Sequence, residues 1–152
     1  MSAPAGSAAA TVVGRAIVRD DVLALHREIV AIPSVSGSEA ALAGWLETYL
    51  REHGARPERL GDTLLAFAGE PVAEGRPLLL LDTHIDTVPP GEGWTRDPHA
   101  VESIDGRVLG LGSNDAKASV AAMTAAFLAL ANEPLPFTLG LALVEAEETR
   151  GT

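Results

Sequence analysis

From residue 20 onward the apolar positions follow first a helical period and then a shorter one, and the change of period marks the elements. Val22, Leu25, Ile29 and Val30 recur at helical spacing behind Asp20, a good N-cap, and predict a helix over roughly 21–31 that Ile32-Pro33 ends. The stripe Leu42, Trp45, Leu46, Tyr49 and Leu50 predicts a second helix. Ser36, with Glu39 three residues on, has the spacing of a capping box at its start, and Gly54 supplies a left-handed stop. His26 lies on the first helix and reads as solvated. His53, in the last turn of the second, complements the negative end of the helix dipole.

After Gly54 the pattern turns strand-like. Pro57–Leu60 and Thr63–Phe67 predict a hairpin turning at Gly61-Asp62, and Gly69–Pro77 a polar loop. Leu78–Leu81 is apolar at every position, the mark of a strand buried on both faces, and it runs directly into Asp82, His84 and Asp86. Residues 88–108 hold prolines, glycines and Trp94, and predict an irregular loop over the mouth of a site. Gly110–Asp115 then precedes a helix over about 116–131 packed through Val120, Met123, Phe127 and Leu128, and Phe137–Val144 predicts a last buried strand. Helices interleave with strands, so the class is α/β. Residues 1–14 are small and apolar with no basic start, which argues against a signal peptide and describes a flexible tail, over 1–19, ahead of a domain over 20–152.

Composition narrows the chemistry. The 152 residues suffice for one domain. Lys and Arg total 11 against 21 Asp and Glu, a net charge of -10, which argues against nucleic acid as a partner and favours small-molecule chemistry or acids gathered around cations. With no cysteine there is neither a disulfide framework nor a thiolate metal site, so any metal is held by His and carboxylates. No apolar run approaches the ~20 residues of a membrane span. The expected compartment is the cytoplasm.

Three groups of polar residues follow an apolar strand or a glycine turn, where open α/β sheets bind ligands: His84 with Asp86, Asp115, and Glu147 with Glu148. The His-x-Asp spacing puts both side chains on one face of an extended segment, so the acid can support the ring as it does behind a metal-bound His. Asp115 at a helix start also fits a simple capping role. Adjacent glutamates repel unless a cation or a proton lies between them.

Together these motifs resemble the N-terminal part of the M20 family of metallopeptidases and deacylases, which includes acetylornithine deacetylase, succinyl-diaminopimelate desuccinylase and aminoacylase. Residues 32–39 (IPSVSGSE) are similar to the family's helix entrance, 82–89 (DTHIDTVP) to its first metal motif and 94–98 (WTRDP) to the loop after it. Residues 110–117 (GLGSNDAK) are similar to its second motif, and Ala146-Glu147-Glu148 with Gly151 to its acidic pair. The resemblance implies the N-terminal part of a mixed-sheet zinc-peptidase catalytic domain (phosphorylase/hydrolase-like) with helices on both faces. It implies two divalent ions, Zn2+ or Co2+, with His84, Asp115 and Glu148 as ligands, Asp115 bridging. Asp86 would orient His84, and Glu147 would act as general base toward metal-activated water. The substrate implied is an N-acyl-L-amino acid, N2-acetylornithine first, with succinyl-diaminopimelate or carboxypeptidase and aminoacylase substrates as alternatives. Ala146 stands where many members have Asp, which leaves Glu147 as the candidate base.

The same resemblance implies further ligands and a dimerising domain after the acidic pair. The expectation is therefore a fragment of a longer, homodimeric enzyme, one that binds zinc poorly and turns over little by itself. Three other readings compete: a hydrolase with Ser113 as nucleophile and His84-Asp86 completing a triad, a nucleotide-binding module built on Gly110-x-Gly112, and a non-catalytic binding protein. GLGSND is not the Gly-x-Ser-x-Gly elbow, and Asp115 would face a phosphate at a helix N-terminus.

Overall fold

The computed structural model describes residues 19–69 and 75–150. Residues 1–18, most of the predicted tail, lie outside the described residues, as do 70–74 of the polar loop and residues 151–152. The described elements are α1 (Arg19–Val30), α2 (Ala40–Glu52), β1 (Glu58–Leu60), β2 (Thr63–Ala68), β3 (Leu78–His84), β4 (Glu102–Ile104), β5 (Arg107–Leu109), α3 (Lys117–Leu130), β6 (Thr138–Val144) and α4 (Glu147–Arg150).

The predicted hairpin is β1–β2, antiparallel and closed at Leu60 opposite Thr63. β2 also pairs antiparallel with β6, while β6 pairs in parallel with β3, giving a mixed sheet in the order β1-β2-β6-β3. A parallel pair needs a crossover, and α3 lies in the connection from β3 to β6. The loop before α3 contains a separate hairpin, β4–β5, turning at Asp105 and Gly106, both with positive φ.

The core joins α1, α2 and α3 to one side of the sheet. Leu25 and Ile29, Leu42, Leu46 and Leu50, and Val120 and Phe127 meet Leu64 and Ala66 of β2 and Leu139, Leu141 and Leu143 of β6. Residues alternate faces along a strand, so the other side carries Phe67 and Leu80, which flank Gly140. These two are 54% and 45% exposed. Helices on both faces are expected for the class; among the described residues the buried cluster lies on one face. The leucine run of β3 departs from its predicted burial: Leu78, Leu79 and Leu80 are all exposed. The reason is position, since β3 is the outer strand of this sheet and has no neighbour beyond it among the described residues. No helix among the described residues is long and apolar enough to cross a membrane.

Candidate metal centre

The site follows from the register of the two parallel strands. His84 closes β3 opposite Val144, the last residue of β6, so the two C-terminal ends lie side by side. Three residues beyond β6 the chain begins α4 with Glu147 and Glu148. One ligand atom each from His84, Glu147 and Glu148 falls within 4.8 Å of the others. Asp115 arrives from the turn before α3, with Oδ1 3.1 Å from His84 Nε2. That carboxylate does not cap α3, whose N-cap Ala116 has no side-chain cap bond. The Asp115–Ala116 peptide is cis. The donor cluster is thus one imidazole and two carboxylates, with Asp115 against the same ring but outside the set that meets within 4.8 Å; open to solvent through Glu147, it fits a divalent cation of the zinc, cobalt or manganese type.

Asp86 is fully buried and holds this end of the sheet together. Its Oδ2 accepts the Ser36 hydroxyl at 2.6 Å and the Glu148 amide at 3.1 Å, and its Oδ1 accepts the Glu147 amide at 3.1 Å. Burial opposes its charge, yet the bonds from Ser36, Glu148 and Glu147 keep its pKa below the usual carboxylate value. The His84 ring is held from behind, Nδ1 donating to the Asp86 carbonyl at 3.1 Å with Oδ1 at 3.4 Å. Burial pulls the His84 pKa down, but the Asp115 and Asp86 contacts outweigh it and the net direction is up. Two acceptors on opposite sides of one ring favour the imidazolium, and a cation at Nε2 would replace that proton.

Several residues do more than their sequence pattern suggests. The predicted capping box does not form: Glu39 is itself the N-cap of α2, and no side chain caps the helix. Residues 34–36 instead run beside 85–87, with Ser36 N donating to the Thr87 carbonyl at 3.1 Å and Thr87 N to the Ser34 carbonyl at 2.9 Å. That pairing turns Ser36 toward Asp86, and Glu39 Oε1 accepts the Ala146 amide at 3.1 Å. The Ser-x-x-Glu spacing says nothing of this, because it depends on a strand 50 residues away. His26 is buried rather than solvated, and its Nε2 donates to the Ser113 carbonyl at 2.7 Å, tying α1 to the turn before α3. Lys117, 1% exposed, donates from Nζ to the Ile32 carbonyl at 2.7 Å; burial lowers its pKa to about 8.

His53 donates to the Tyr49 carbonyl and stacks on that ring, the structural role predicted for it. His99 in the mouth loop and the exposed Asp82 are not part of the donor cluster. The His84 nitrogens face Asp86 and Asp115, which gives a Ser113 triad no support. Beside the second motif the loop and hairpin enclose an open cavity of about 440 Å³ lined by Trp94, Thr95, Arg96, Leu109 and Ser113 among others.

Residues 80–152 match the model of peptidase family M20/M25/M40. Over 142 residues the chain is 34% identical to a probable carboxypeptidase of Aspergillus niger, covering 85% of this chain and 34% of that protein. Over 123 residues it is 36% identical to a succinyl-diaminopimelate desuccinylase of Rhodospirillum rubrum, covering 75% and 30%. The structure superposes on a dinuclear metal-binding peptidase of the M20 family from Bacillus subtilis with a TM-score of 0.60 at 19% identity, covering 84% of this chain and 35% of that one. The chain thus spans about a third of the length of the curated relatives it matches.

Proposed function

We propose that the chain, whose residues 80–152 match the model of peptidase family M20/M25/M40, supplies the first part of a metal-dependent hydrolase that cleaves linear amide bonds. The observation that carries this reading is the meeting of His84, Glu147 and Glu148 within 4.8 Å at adjacent strand ends, with Asp115 against the same ring.

In this reading His84, Asp115 and Glu148 would hold two divalent ions, Zn2+ or Co2+. Bound, the pair lowers the pKa of water and polarises the scissile carbonyl. Asp86 keeps the His84 ring in place through the contacts at Nδ1. Glu147 projects from the same turn as Glu148, exposed to solvent. It takes the proton of the attacking water and returns it to the departing amine. The cavity beside Trp94 is open to the side chain or acyl group of the substrate.

The proposed substrate class is short peptides and N-acyl amino acids. N2-acetylornithine, favoured by motif resemblance alone, is one member of it; the relatives bear the names carboxypeptidase and desuccinylase, which support the wider class. A homodimeric whole protein acting in the cytoplasm belongs to the same reading.

Cobalt titration followed by visible absorption tests the metal assignment. Binding is expected in the unmodified chain, lost in His84→Ala and retained in Glu147→Gln, which keeps the size of the side chain but not its basicity. Equal cobalt binding by the unmodified chain and His84→Ala would refute the site. In any longer form that turns over N-acyl amino acids or dipeptides, Glu147→Gln is expected to lower kcat by about 10²–10⁴-fold.

A further inference from the structure

The segment that carries the acid pair leaves β6 in an unusual way. Ala146 has φ 57, a left-handed conformation that residues with a Cβ adopt rarely, and the chain turns there into a helix of four residues, Glu147–Arg150. A helix this short has little cooperative stability of its own, so the direction of its side chains depends on what holds its amides.

Those amides end on carboxylates from elsewhere in the chain. The Ala146 amide donates to Glu39 Oε1 at 3.1 Å, and the Glu147 and Glu148 amides donate to Oδ1 and Oδ2 of Asp86, each at 3.1 Å. Glu39 is 2% exposed and Asp86 is fully buried, so both acceptors are walled in by the fold. The Ser36 hydroxyl fixes the Asp86 carboxylate from its other side at 2.6 Å. Just before the turn, Glu145 is anchored too, its Oε2 accepting the Asp62 amide at 2.6 Å and its own amide donating to Thr63 Oγ1 at 3.2 Å. Three successive peptide planes are therefore oriented by Glu39 and by the Asp86–Ser36 pair.

We propose that Ser36 and Glu39 are positioning residues which, through Asp86 and the Ala146 amide, aim the Glu147 and Glu148 side chains at His84. The proposal rests on the reading of that cluster as a metal and proton-transfer site, but its first effect is on the backbone of residues 146–148 and is present without any metal.

The test compares the unmodified chain with Ser36→Ala, Ser36→Thr, Glu39→Ala and Glu39→Gln by amide hydrogen exchange without metal and by cobalt titration. Thr keeps the hydroxyl, and the Gln side-chain carbonyl still accepts the Ala146 amide. In the two Ala variants the amides of residues 146–148 are expected to exchange about tenfold faster while those of Leu141 and Leu143 in β6 keep their rates. Cobalt affinity is expected to fall about tenfold in the same two variants and to be retained in Ser36→Thr and Glu39→Gln. Unchanged exchange at 146–148 in both Ala variants overturns the proposal. So does faster exchange that includes Leu141 and Leu143 equally, which would make the two residues general supports of the core. Failure of the unmodified chain to bind cobalt rejects the metal reading alone; the exchange rates still decide whether Ser36 and Glu39 position the pair.

Discussion

Asp86 shows how one buried carboxylate can organise a site without reaching into it. An uncompensated buried charge is expensive, and here three donors meet it: one hydroxyl and two backbone amides. The same arrangement leaves no lone amide at the start of the acid turn and fixes the peptide behind the His84 ring. Gly112 plays a comparable part in the second motif. It has φ +73, and a Cβ built there would lie 2.5 Å from Thr87 Cγ2, the residue after Asp86. Gly112→Ala therefore combines a left-handed alanine, about 1–2 kcal/mol, with an overlap that the buried Thr87 side chain must absorb, about 1–3 kcal/mol. Chemical denaturation should show a loss of about 2–4 kcal/mol, and a change within ~0.5 kcal/mol would mean that the turn relaxes freely.

Among the elements, the helices and the hairpin were legible because their signals are local: the stripe from Leu42 to Leu50 and the Gly61-Asp62 turn need no knowledge of the rest of the chain. What depends on distant partners was not. The Ser36–Glu39 spacing matches a capping box, yet the pairing of residues 34–36 with 85–87 sends both side chains to the site. Leu78–Leu80 look buried on both faces, but a run of leucines does not encode which strand stands at the edge. The exposed apolar face that carries Phe67 and Leu80 on either side of Gly140 is a surface prone to self-association. Leu80→Lys together with Phe67→Lys should therefore reduce concentration-dependent association in sedimentation velocity while leaving unfolding free energy within about 0.5 kcal/mol, because neither side chain contributes to the buried cluster. A larger loss of stability would show that this face is covered in solution.

At the scale of the whole molecule, two stretches far apart in sequence supply one cluster because β3 and β6 run parallel and end together, and Asp115 reaches the same ring from the turn before α3. The motifs at His84, Asp115 and Glu147-Glu148 were visible as separate weak signals. The topology that joins them, down to the opposition of His84 and Val144, was not, since strand order is set by packing rather than by any local pattern. The net charge of -10 has the same logic: a surplus of acids repels itself in the folded state, and a cation held between Glu147 and Glu148 would relieve that repulsion at this site. Metal binding should therefore appear as stability. A cation that binds the folded chain alone stabilises it by about 2.7 kcal/mol at a free concentration one hundred times its Kd. For a chain of 152 residues this corresponds to a rise in Tm of roughly 5–10 °C. Differential scanning calorimetry with Co2+ or Zn2+ should show that rise, chelator should reverse it, and His84→Ala should abolish it by removing the imidazole donor. A rise that persists in His84→Ala would place the bound cation elsewhere among the 21 acids, and the strand-end cluster would then not be the metal site.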